Sequence, residues 1–165
     1  MESYPEESCG IVVDGEYIPQ ENIHENKLEA FRIDPRVTTP LFREGKLQAI
    51  IHSHPNGPNH PTPDDAQAQI DMQIPWGIVS VTGDEEKGEA LYCGDIQWWG
   101  DALPTPALIG RKFIWHIFHC YQLYRDWWWL NKGIRFPLYP CEEEFIQNQR
   151  DVFIEHVESA HHVNL

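Results

Sequence analysis

Two histidines one residue apart, His52 and His54, end an apolar run, and Thr62-Pro63-Asp64-Asp65 follows shortly after. On a strand, successive side chains alternate faces, so the two imidazoles project the same way. Imidazole suits zinc, and the carboxylate of Asp65 can supply a third ligand. Three protein ligands leave a tetrahedral ion one open position for water, which is the pattern of a catalytic zinc rather than a structural one. Zinc brings the pKa of such a water down to about 7. Hydrolysis then needs a general base beside the water and a donor for the developing oxyanion. A plainer reading fits the same residues. A His-x-His pair arises on strand edges by chance, and Thr62-Pro63-Asp64-Asp65 is also an ordinary helix start, with Thr as N-cap, Pro first in the helix and acids in the first turn. The two readings are compatible, because a helix start would hold a ligand rigidly.

The elements that must carry these residues read as mixed α/β over the first hundred positions. Ser8 to Val13 is a strand, and Asp14-Gly15 is a hairpin turn into Glu16-Tyr17-Ile18. Ala30 to Ile33 is expected to be a strand, and Asp34 to Arg43 a loop with a short helix. Leu47 to His54 is a strand stopped by Pro55, and 56–61 is a loop rich in Asn, Gly and Pro. Asp64 to Met72 is expected to be a helix. Trp76 to Val81 and Ala90 to Trp98 are expected to be strands joined by an acidic turn. Gly100 to Gly110 (GDALPTPALIG) reads as a linker. Beyond it the composition turns aromatic. Ile117, Cys120, Tyr121, Tyr124 and Trp128 fall on one helix face. Gly133 marks that helix's end, and a second helix is expected over Glu142 to Ser159.

Composition narrows the function classes. The chain has 165 residues, about one domain's worth or a little more. Its 12 Lys+Arg against 26 Asp+Glu give a formal charge of −14. Phosphate backbones need clustered cations, so nucleic acid is not an expected partner. Anionic membrane surfaces would repel it, and no apolar run approaches the roughly 18 residues of a membrane span. The acidic N-terminus does not read as a secretory signal. Cysteines at 9, 93, 120 and 141 form no Cys-x-x-Cys pair, which argues against a thiolate zinc site. They are expected to be reduced thiols, in keeping with a cytoplasmic setting.

His52-x-His54-x7-Thr62-x2-Asp65 resembles the JAMM (MPN+) metallopeptidase motif, in which Ser usually stands at the Thr62 position. Pro5-Glu6-Glu7-Ser8-Cys9-Gly10 resembles that family's upstream Glu box. The resemblance implies an α/β, deaminase-like JAMM/MPN sheet flanked by helices and followed by a small helical C-terminal segment. It implies Zn²⁺ held by His52, His54 and Asp65. It further implies Glu7 as general base and the Thr62 hydroxyl as the group steadying the tetrahedral intermediate. Thr keeps the hydroxyl with fewer rotamers. Only six residues precede Glu7, where the family usually has a helix. Without the box, Glu7 would read as part of a solvated acidic turn with Glu2 and Glu6. Ser53 faces the other side of the strand and takes no role, Cys9 reads as a small buried residue, and His60 as a solvated loop histidine.

His119-Cys120-Tyr121-Gln122-Leu123-Tyr124-Arg125-Asp126-Trp127, with Lys132-Gly133-Ile134, resembles the opening of an NlpC-type cysteine peptidase domain. The two together match the layout of the phage tail assembly protein K-like family. This divides the chain into a peptidase domain over 1–103, a linker over 104–110 and a partial NlpC-like segment over 111–165. Cys120 matches that domain's nucleophile, but a thiolate needs a base within reach. His156, His161 and His162 come too early for the family's His, so Cys120 is expected to be idle here and Cys141 has no role. The expected partners are a peptide or isopeptide substrate and other phage tail proteins, in the virion tail or the host cytoplasm during assembly. The alternative is a non-catalytic tail tip or assembly protein that keeps the JAMM fold. A zinc nucleoside deaminase would need a Pro-Cys-x-x-Cys pattern, which the sequence lacks.

Overall fold

The computed structural model describes residues 3–138. The expected helix over Glu142 to Ser159, Cys141 and the histidines at 156, 161 and 162 lie outside the described residues. The described chain falls into two compact units, one of residues up to His60 with Met72–Leu103, the other of Pro61–Asp71 with the residues from Pro104 onward.

The first unit is a sheet in the order β2-β1-β3-β4-β5, with β6 also on β4. Its strands are β1 (Cys9–Val13), β2 (Glu16–Gln20), β3 (Ala49–Pro55), β4 (Trp76–Asp84), β5 (Glu89–Cys93) and β6 (Gln97–Trp99). The β1–β2 hairpin turns on Asp14 and Gly15, both at positive φ (53° and 80°). That is the turn whose twist matches the flanking strands. β3 lies between antiparallel β1 and parallel β4. Strands covered on both faces read as continuous apolar runs, and Ala49, Ile50 and Ile51 give β3 that start. It stays buried through His54. Ile11 and Ile78, on the strands flanking β3, are 1% and 0% exposed. A short helix, α1 (Pro35–Arg43), starts behind Asp34, whose carboxylate accepts from the Arg36 N–H at 2.8 Å.

Two strand expectations are corrected. Residues 30–33 form no strand. The Asn22 side chain accepts from the Arg32 N–H and donates to the Ala30 carbonyl, so an amide side chain does the work of a ladder partner. Ala90 to Trp98 is not one strand but two, β5 and β6, broken at 94–96. The β4–β5 register shifts at Thr82/Gly83, and the Gly94 N–H turns in to the Ser80 carbonyl at 2.9 Å. That bulge lies inside β5 and bends it; after Gly94 the chain leaves β4 and pairs with it again only from Gln97, opposite Ile78.

The second unit holds α2 (Pro63–Met72) and α3 (Cys120–Lys132). Gly133 closes α3 in the left-handed region (φ 67°), its N–H bonded to the Trp129 carbonyl. The expected aromatic stripe is corrected in two ways. Ile117 precedes the helix, and the residues α3 buries are Arg125 and Asp126. Asp126 pairs with Arg111 at 2.6 Å, with both side chains buried, and accepts from Gln122 at 3.0 Å. Arg125 donates to the Phe136 carbonyl at 2.8 Å and to the Gln122 side chain at 2.8 Å. Arg111 also holds the carbonyls of Pro106 and Ala107. Stripping one partner from such a buried pair costs about 3–5 kcal/mol, because a charge is left uncompensated. The helix is fastened by ions on its inner face, while Trp127 and Trp129 remain over 40% exposed.

Candidate metal centre

β3 brings the two histidines together by alternation. His52 and His54 are 2% and 5% exposed, and their Nε2 atoms lie 3.0 Å apart. Two imidazole nitrogens on one tetrahedral zinc would be separated by ~3.3 Å, given Zn–N bonds near 2.0–2.1 Å. The pair therefore nearly has the spacing that a shared ion imposes. His54 Nδ1 lies 2.9 Å from the Pro58 carbonyl. A carbonyl only accepts, so the proton sits on Nδ1 and the Nε2 lone pair is left for a cation. His52 is held by packing. The Phe31 ring stacks on it with centroids 4.4 Å apart, and Trp76 meets it edge-on at 5.9 Å. Ser53 faces away, as expected, and its hydroxyl oxygen accepts from the N–H and hydroxyl of Ser8.

Glu7 is not part of a solvated turn. It is 6% exposed, its N–H donates to the Lys27 carbonyl at 2.7 Å, and its carbonyl accepts from Asn22 at 2.9 Å. The β1–β3 register sets Cys9 opposite His52. The Ser53 N–H bonded to the Ser8 carbonyl carries that register one step further, so residue 7 lies level with residue 54. Directly opposed residues share a face, which puts Glu7 and Cys9 on the histidine side. Burial pushes the Cys9 thiol up to about 11, and the Glu7 charge adds to the shift. Cys9 is accordingly a neutral, buried thiol and no nucleophile.

Thr62 and Asp65 open α2 as a reciprocal cap. The Thr62 N–H and hydroxyl both donate to Asp65 Oδ2, at 2.8 and 2.7 Å, and the Asp65 N–H returns a bond to Thr62 Oγ1 at 3.2 Å. The plain helix-start reading is thus realised, and it coexists with the other. Among the described residues, His52 and His54 each offer a ring nitrogen from β3, and Asp65 offers a carboxylate oxygen from the start of α2. Two nitrogens and one carboxylate oxygen suit zinc as a donor set.

Cys120 is exposed at the first position of α3. His119 precedes it as an N-cap without a side-chain capping bond. His119 is 6% exposed, and its Nε2 has no hydrogen-bond partner among the described residues. Burial, with His116 and Arg125 adding to it, pulls its pKa down to about 4. The supports of the first site (Asn22, Phe31 and the Pro58 carbonyl) escaped the sequence reading. None carries metal chemistry itself, and the signal available was only an Asn and a Phe near a strand end.

Residues 1–94 match the family described as prokaryotic homologs of the JAB domain. The chain is 27% identical over 117 residues to the tail tip assembly protein K of Escherichia phage lambda, covering 71% of this chain and 51% of the relative. It is 29% identical over 150 residues to the protein of the same name from Escherichia phage N15, covering 88% and 57%. It is 38% identical over 71 residues to a probable TtuB-protein conjugate cleaving protease of Thermus thermophilus, covering 40% and 47%. The chain spans about half the length of these curated relatives.

Proposed function

This chain belongs to the family of prokaryotic homologs of the JAB domain, and on that premise we propose that it is a zinc-dependent peptidase hydrolysing an amide or isopeptide bond in the setting of phage tail assembly. The observation that carries the reading is the meeting of the His52 and His54 Nε2 atoms at 3.0 Å in a chain whose Glu7 is buried on the histidine side of the sheet. Residues 1–103 would form the peptidase domain and 104–110 a linker to the NlpC-like segment.

His52 and His54 would hold the ion through Nε2, and Asp65 through its carboxylate. Zinc, when bound, lowers the pKa of water and polarises a carbonyl. The Pro58 carbonyl keeps the His54 proton on Nδ1 and so keeps Nε2 a ligand. Glu7 takes the proton from the attacking water and delivers it to the departing amine nitrogen. The single Thr62 hydroxyl proton is committed to Asp65, so Thr62 first fixes the carboxylate and serves the substrate oxyanion only after its O–H turns about the Cβ–Oγ bond. The JAB family and the protease-named relative support cleavage, and the two tail proteins support the setting.

A non-catalytic tail tip component is the second reading. The names of the two tail relatives and the exposed Trp127 and Trp129 favour it. One experiment separates the two. The zinc-loaded chain is offered a linear peptide and a branched Lys-isopeptide. Cleavage of either that stops on chelation and returns with zinc supports the peptidase. No cleavage, together with particle incorporation that His52→Ala leaves intact, supports the structural role.

A further inference from the structure

We propose that Asn22 is the positioning residue of this centre, setting both the carboxylate that handles the proton and one of the two histidine ligands; this rests on the peptidase reading above. Asn22 is 8% exposed and lies in an irregular segment after β2, with no metal-binding chemistry of its own. Its amide is saturated. Nδ2 donates to the Glu7 carbonyl at 2.9 Å and to the Ala30 carbonyl at 3.1 Å. Oδ1 accepts from the N–H groups of His24 and Arg32, both at 3.0 Å. A primary amide has two donor hydrogens and two acceptor lone pairs, so all four are used. Every partner is backbone, which fixes the orientation of the amide, because carbonyls accept and N–H groups donate.

These four bonds reach the site from two sides. One ends on Glu7 itself. Two others clamp Ala30 and Arg32, the residues flanking Phe31, whose ring stacks on His52. Segment 30–33 has no strand ladder to hold it. Besides Asn22, two backbone bonds tie it down, from the Ile23 N–H to the Arg32 carbonyl and from the Ala30 N–H to the Asn26 carbonyl. Asn22 thus sets the place of the residue-7 backbone and the face of the imidazole at 52 through one rigid plane. Groups that orient metal ligands from behind typically govern about 10–100-fold in metal affinity or activity.

The test uses the full chain with Asn22→Ala and Asn22→Asp. Asp keeps the shape and the acceptor bonds to His24 and Arg32 but loses the donors to Glu7 and Ala30. The first readout needs neither zinc nor activity. In the metal-free protein, the Phe31 ring current shifts the His52 ring protons, and hydrogen exchange reports protection of the Glu7 N–H. Both variants are expected to lose Glu7 protection, and Asn22→Ala also to release the His52 shift, with the β3–β4 amides unchanged. The second readout is zinc affinity and cleavage. Asn22→Ala is expected to weaken zinc binding about 10-fold and to lower kcat with little change in KM. An unchanged His52 shift and unchanged Glu7 protection in Asn22→Ala overturn the proposal. Should Asn22→Ala fail to fold, the Glu7 exchange and kcat of Asn22→Asp decide it. A wild type that binds no zinc defeats the peptidase reading, while the metal-free shifts still decide the role of Asn22.

Discussion

The start of α3 and the end of β3 each present histidine beside a second group capable of chemistry, and they are built to opposite effect. At β3, one imidazole is oriented by a carbonyl and the other by a stacked ring, so their Nε2 atoms meet at 3.0 Å. At α3, His119 is buried with no partner for its Nε2 among the described residues, and Cys120 is exposed. A pKa near 4 keeps that imidazole neutral at physiological pH, and among the described residues no partner reaches its Nε2. The difference teaches that residue type gives a site its potential, and the groups behind those residues decide whether it is realised.

The largest expected effect sharpens that contrast. Glu7→Gln keeps the shape and removes the base, so kcat should fall about 10²–10⁴-fold with zinc retained. Cys120→Ser should leave cleavage unchanged in the same assay. Equal losses from both changes would erase the distinction.

A smaller effect concerns stability. The pKa of His119 falls from 6.5 when unfolded to about 4 when folded. Its neutral burial therefore stabilises the fold above pH 6.5, and that contribution is lost as pH drops toward 4. The full shift corresponds to about 3 kcal/mol at most. Urea titrations between pH 7 and 4 should show this loss, and His119→Gln should flatten the curve. A wild-type curve already flat over that interval would mean that His119 is solvated.

Much of the first site was legible because its parts obey local rules. Alternation put His52 and His54 on one face, and the Thr-Pro-Asp-Asp sequence announced the start of α2. The hairpin at Asp14-Gly15 and the cap at Gly133 needed only turn chemistry. The misses share a different cause. Segment 30–33 looked like a strand because β-prone residues fill it, yet a side chain eight residues earlier in the sequence satisfies its backbone. Strands β5 and β6 read as one because the break between them, at 94–96, interrupts the pattern for only three residues. Arg125 and Asp126 lie off the aromatic stripe, and the groups that cover them stand elsewhere in the sequence: Arg111 for Asp126, fifteen positions away, and the Phe136 carbonyl for Arg125. Periodicity sees the face of a helix but not the ion that covers it. The burial of Glu7 likewise depends on Lys27 and Asn22, which no pattern around residue 7 announces.

The most direct measurement is the zinc content of the purified full chain after zinc loading and dialysis, beside His54→Ala treated identically. The account predicts one tightly held zinc ion per wild-type chain and none in the variant. A wild type that retains no zinc, or a variant that retains as much, would contradict it.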